Sequence, residues 1–146
     1  MTRIDFYILD NNTPQARENF ACRLIEKAQH LGHSIFVQSQ TTEHAELLDD
    51  LLWSYKPESF IPHALSKSAS ATNCSVVIST EQQKTEKNKN NDVLINFSST
   101  VPDLFSQYSR VVEIVNKNDN SSIDGRTRYK YYNDRGYQME YHNIRG

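Results

Sequence analysis

A chain of 146 residues with a formal net charge of −2 is long enough for one domain with a real core and too short to expect two, so a single domain over residues 1–146 is expected. The near-neutral charge argues against a protein whose main partner is a phosphate backbone, because such binding needs clustered cations; any basic site must be local. No run approaches the roughly 18 to 20 apolar residues of a membrane span, and Met1 leads directly into a strand-like run rather than a basic, apolar leader. The expectation is a soluble, cytoplasmic protein.

An apolar share of 37% with 10% aromatics points to a small core rich in rings, each of which buries a large area. Cys22 and Cys74 have no spacing suited to a metal, and a domain of this size does not require a disulfide. Buried thiols in a reducing compartment are expected.

In chain order, Arg3 to Leu9 is rich in β-branched and aromatic residues and ends at the turn signal Asp10-Asn11-Asn12, which reads as a first strand. Thr13-Pro14 supplies a capping hydroxyl followed by proline, and Phe20, Ala21, Leu24, Ile25, Ala28 and Leu31 recur at helical spacing up to Gly32. A second strand over 33–38 completes a strand–helix–strand unit, whose strands should run parallel. Thr41-Thr42-Glu43 opens a second helix with Ala45, Leu48, Leu51 and Leu52 on one face, running to Trp53 and ending before Pro57.

Residues 56–73 read as a loop, 74–79 as a third strand, and 81–91, which hold no apolar residue, as a solvated loop. Strand character resumes over 93–97, a short helix is expected over 102–108, and Arg110 to Val115 reads as a fifth strand. Ser121 to Arg135 reads as a terminal helix closed by Gly136. Strands alternating with helices predict an α/β fold with an open, mostly parallel sheet covered on both faces.

Such a sheet raises the prospect of nucleotide binding, but the four glycines, at 32, 125, 136 and 146, allow no GxGxxG or phosphate-cradling loop after any strand. No cofactor is expected. His30, His33 and His44 lack a third ligand in any known metal spacing and read as surface or cap residues. No nucleophile sits in a recognisable elbow or beside a base, so catalysis has no named residues to carry it.

Two segments stand out. In Leu51 to His63, Trp53, Phe60 and Ile61 lie in or beside a connection punctuated by Pro57 and Pro62; such rings serve either as interface anchors or as a lid on the sheet edge. In Arg126-Thr127-Arg128-Tyr129-Lys130-Tyr131-Tyr132, cations alternate with tyrosines, and Arg126, Tyr129, Lys130 and Asn133 share one helical face. That face suits a carboxylate attached to an apolar residue, a solvated helix exterior, or single-stranded nucleic acid.

The chain resembles the chi subunit family of bacterial DNA polymerase III. The likeness runs from Phe6-Tyr7-Ile8-Leu9-Asp10-Asn11 through Leu52-Trp53 and Glu58-Ser59-Phe60-Ile61-Pro62-His63 to Val93-Leu94-Ile95-Asn96 and Arg126 to Tyr132. No one segment carries it; their order and spacing do. The resemblance implies a Rossmann-like fold without nucleotide, no catalytic activity, and two binding surfaces.

One surface, falling on Trp53, Phe60 and Pro62, would face the psi subunit, and a DNA helicase is a further partner that the resemblance raises for it. The other would hold the acidic, phenylalanine-terminated tail of single-stranded DNA-binding protein and falls on Arg126, Tyr129 and Lys130, with Val115 at the end of the preceding strand. Contact with DNA would then be mainly indirect. A lysine found one turn before the pocket arginine in some members is Ser122 here, and Gly125 stands where alanine would favour the helix by ~1 kcal/mol. These departures imply a weaker tail contact and a less firm helix start. The competing readings are a domain that binds single-stranded nucleic acid directly and a nucleotide-binding enzyme with an unrecognised site.

Overall fold

The computed structural model describes residues 2–10, 13, 15–54, 63–65, 76–80, 92–117 and 120–144. Among them the chain forms strands β1 (Arg3–Leu9), β2 (Ile35–Gln38), β3 (His63–Leu65), β4 (Val76–Ser79), β5 (Val93–Asn96), β6 (Arg110–Asn116) and β7 (Gln138–Ile144). The helices are α1 (Ala16–His30), α2 (Thr42–Ser54) and α3 (Asn120–Asp134). The strands make one open sheet in the order β3-β4-β2-β5-β6-β1-β7, with every pair parallel. No helix among the described residues is long and apolar enough to cross a membrane.

A parallel sheet exposes two apolar faces and is stable only when both are covered. β2 and β5 are buried at every position, as central strands of such a sheet must be. On one face Tyr7, Leu9, Val112 and Ile114 meet Phe20 and Ile25 of α1 and Leu48 and Leu52 of α2. On the other, Ile4, Phe6, Leu94 and Val111 meet Tyr132 of α3 with Phe105 and Tyr108. The fold class expected from the alternation of strands and helices is the one found.

Local signals locate most element ends. α1 closes with Gly32 at φ 85°, where Gly32 N–H donates to Gln29 O and His33 N–H to Ala28 O, at 3.0 Å each, a Schellman closure. α3 ends the same way at Gly136, φ 78°, with Tyr137 N–H reaching Tyr132 O. The Thr41 hydroxyl caps α2 by accepting from His44 N–H at 3.1 Å.

Three expectations are corrected. α1 starts at Ala16 behind Gln15, whose φ is 66° and whose side chain makes no cap bond; Ala16 N–H donates to the Thr13 carbonyl, and Pro14, expected as the first helical residue, lies outside the described residues. The short helix of 102–108 is a single 3-10 turn, Phe105–Gln107. Residues 63–65, read as loop, form β3, and β7 was not foreseen.

Two fully buried carboxylates, Asp5 and Glu113, fasten strand to strand and α3 to the sheet. Asp5, fully buried on β1, accepts from Arg3 of its own strand and from Arg110 of β6, and faces His142 of β7. Burial alone would raise its carboxyl, but Arg110, His142 and Arg3 together hold it below its ordinary value. Glu113, fully buried on β6, accepts from Arg128 Nε at 2.8 Å, Tyr132 Oη at 2.7 Å and Asn96 Nδ2 at 2.9 Å. Here burial wins: the carboxyl lies above its ordinary value even with Arg128 and two hydrogen bonds pulling it down.

A group whose folded-state value is depressed stabilises fully above its unfolded value and loses that contribution as pH falls through the folded one. Asp5 should therefore support the fold at neutral pH and stop doing so in acid, below 3.8. In urea unfolding, Asp5→Asn should be less stable than wild type at about pH 7, and the gap should narrow toward about pH 3; a gap independent of pH would show that the charge is not what matters. Arg128→Ala leaves the Glu113 carboxyl in the core without its cation, which costs about 3–5 kcal/mol, whereas replacing both partners by Gln and Met should cost far less. Equal losses in the single and double variants would contradict this.

Candidate functional site

The sheet register builds a cleft beside α3. On the face that α3 covers, Tyr141, Phe6 and Glu113 form one cross-strand row of β7, β1 and β6, and Asn143, Ile8 and Val115 form the next toward the strand ends. α3 runs back over these rows: Gly125 lies on Val115, and one turn on Tyr129 stacks on Tyr141 with ring centroids 5.0 Å apart and meets the edge of Phe6 at 5.6 Å. The space between is a cleft of about 320 Å³ lined by Phe6, Ile8, Val115, Tyr129 and Tyr141, with Lys117, Arg126, Asn143 and Gly125 completing its walls. It lies at the carboxyl ends of the strands, where open α/β sheets bind ligands.

The cleft is apolar below and cationic at its mouth. Lys117 and Arg126 are exposed, and no carboxylate is among the lining residues. Partial burial and a hydrogen bond with Tyr129 push the Tyr141 phenol up to about 12, so it stays neutral under ordinary conditions. An apolar group whose end bears negative charge matches these walls.

Of the residues singled out from the sequence, Val115, Arg126 and Tyr129 come together in this cleft. Lys130 is exposed and is not among its lining residues. Trp53 is 56% exposed at the end of α2. Phe60 and Pro62 lie outside the described residues.

Other clusters fit chemistry less well. His44, read from the sequence as a surface or cap residue, is half-buried, with Nδ1 3.2 Å from the Ser39 hydroxyl and Nε2 2.8 Å from Glu18. The Ser39 side is 1% exposed, so this chain of bonds ties the start of α2 to the start of α1 rather than presenting a nucleophile. Asp5, Glu140 and His142 have ligand-type atoms within 4.8 Å of one another, but Arg3 and Arg110 already occupy one Asp5 oxygen and would repel a metal ion. A smaller polar crevice of about 160 Å³ lies between Arg17, Ser98, Ser99 and Asp124.

Residues 1–140 match the family described as the DNA polymerase III chi subunit, HolC. The chain belongs to that family. It is 30% identical over 144 residues to the DNA polymerase III subunit chi of Pseudomonas aeruginosa, covering 99% of this chain and 98% of that one. To the subunit chi of Escherichia coli K12 it is 27% identical over 143 residues, covering 95% and 96%. Among solved structures, one of T4 UvsW superimposes with a TM-score of 0.65 at 11% identity, over 99% of this chain and 41% of that one; this is a likeness of fold alone.

Within this chi-family chain, sequence reasoning missed the β7 wall. Tyr141 and Asn143 alternate with Glu140 and His142 on an edge strand with no fully buried position, so no apolar run announces it. Gly125, first taken as a weak point of α3, has a packing role: a Cβ there would sit 2.6 Å from Val115 Cγ1. Overpacking of this kind costs about 1–3 kcal/mol, which outweighs the ~1 kcal/mol that alanine adds to a helix. Gly125→Ala should lower the melting temperature, and adding Val115→Ala should recover part of the loss; a rise in Tm for Gly125→Ala would show that the helix moves away freely.

Proposed function

We propose that this chain is a non-catalytic accessory subunit of the DNA polymerase III clamp-loader assembly. As one domain over residues 1–146 it bridges two proteins in DNA replication. The cleft beside α3 takes the acidic, phenylalanine-terminated tail of single-stranded DNA-binding protein. The surface of Trp53, Phe60 and Pro62 takes the psi subunit, with a DNA helicase as another occupant, and contact with DNA is mainly indirect.

The observation that supports this most directly is the joining of Val115, Arg126 and Tyr129 in one ring-lined cleft with cations at its mouth. A terminal phenylalanine offers a ring for the apolar floor and an α-carboxylate that a guanidinium can grip through two parallel hydrogen bonds. Family membership supports the replication role.

Direct binding of single-stranded nucleic acid has less support. It would need exposed rings as a stacking platform, whereas Tyr132 is fully buried, Tyr129 faces the cleft, and Tyr131 lies 3.5 Å beneath Arg135.

Titration of a fluorescent tail peptide tests the proposal. Arg126→Ala should weaken binding roughly ten- to a hundredfold, the usual worth of a hydrogen bond to a charged group. Tyr129→Ala should also weaken it by removing a wall, while Arg135→Ala, whose side chain packs on Tyr131 instead, should bind as wild type does. Affinity unchanged by Arg126→Ala would place the tail elsewhere.

A further inference from the structure

Arg126 is not the only cation at the cleft. Lys117 stands two residues beyond Val115, where β6 ends, and its backbone is fixed there by Lys117 N–H donating to Leu9 O at 2.8 Å. Its side chain is exposed and lines the same cavity. The two cations come from different elements and opposite sides of the mouth.

Gly125 lies over Val115 of β6, whereas Tyr129 lies over Tyr141 of β7. Arg126, one turn before Tyr129, therefore overlies the β7 side of the opening. β6 and β7 are separated by β1, which sets them about 10 Å apart. With the two cations rooted on different elements, each can take a carboxylate of its own, and no acidic side chain is among the lining residues.

We infer that Lys117 is a second carboxylate anchor of the cleft, so that its ligand carries an acidic side chain upstream of the terminal ring as well as a free α-carboxylate. This rests on the tail-binding reading above and adds to it a residue that reads the ligand's sequence rather than its end. Arg126 holds the chain terminus, Tyr129 and Tyr141 hold the ring, and Lys117 faces the acidic residue as the peptide leaves the cleft across β6.

The test is a cycle of two proteins and three synthetic peptides. One peptide has aspartates before a C-terminal Phe, the second has asparagines in their place, and the third keeps the aspartates but ends in an amide. Lys117 is exposed, so Lys117→Gln should fold as wild type does, which its circular dichroism and melting curve verify.

In wild type, replacing the aspartates should weaken binding about fivefold at low salt, an effect that shrinks as salt rises. In Lys117→Gln that replacement should make almost no difference, while amidation should still weaken binding strongly in both proteins. If Lys117→Gln discriminates aspartate from asparagine as well as wild type does, the inference is overturned while tail binding stands. If wild type binds none of the three peptides, tail binding itself fails, and the inference with it.

Discussion

The Glu113 carboxylate, buried in the middle of β6, determines how α3 lies on the sheet. It accepts from Arg128 and Tyr132, one helical turn apart, and from Asn96 of β5, and each of these bonds has a narrow range of acceptable geometry. Together they fix the rotation of the helix about its axis. With Arg128 and Tyr132 turned toward β6 and β5, Arg126 and Tyr129 must turn toward β1 and β7, and Lys130, two residues from each buried anchor, must turn to solvent. The composition of the cleft follows from a bond network that lies outside its lining.

The same helix explains why the cleft exists at the strand ends and not along the whole groove. Toward its carboxyl end α3 is sealed to the sheet by rings, since Phe105 meets Tyr131, Tyr132 and Tyr137 edge to face. Toward its start the seal is Gly125, whose missing side chain brings the backbone onto Val115. The helix is thus clamped on the β6 side at both ends, and the open space lies on the side of β7, the edge strand whose Tyr141 and Asn143 line it. A cleft of this kind does not need a glycine-rich loop, because what it offers a ligand is rings and side-chain cations rather than a row of backbone amides.

Much of the fold was legible because parallel sheets are written in continuous apolar runs. β1, β5 and β6 are such runs, and the helices between them carry their own stop signals in Gly32 and Gly136. What was not legible depends on contacts distant in sequence. Arg128 stands in a run of cations and tyrosines and looks like its neighbours; only Glu113, a charge set among the four valines and isoleucines of 111–115, hinted that some cation had to be buried against it. β7 escaped because an edge strand half open to water has no apolar periodicity, and β3 because three residues are too few to show any. Gly125 reads as a helix breaker until Val115 is seen beneath it.

The candidate site was legible in a different way. Val115, Arg126 and Tyr129 were named from the likeness of ordered segments, whereas the walls that make them a cleft, Tyr141, Asn143 and Lys117, come from other elements and carry no local mark of a site. Helical periodicity placed Lys130 beside Arg126 and Tyr129, but a shared face is about 100° or more wide, and the groove admits only the part of it nearest β7. Because the anchoring residues and the cleft residues occupy neighbouring positions on the same two turns, loss of binding in a variant of Arg128 or Tyr132 is not evidence that either touches the ligand. Releasing Glu113 would let α3 rotate, and rotation of one residue's angular step would carry Arg126 out of the mouth. Contact and support can therefore be told apart only by comparing affinity with stability in each variant: an exposed contact such as Arg126 changes the first alone, and a support residue changes both.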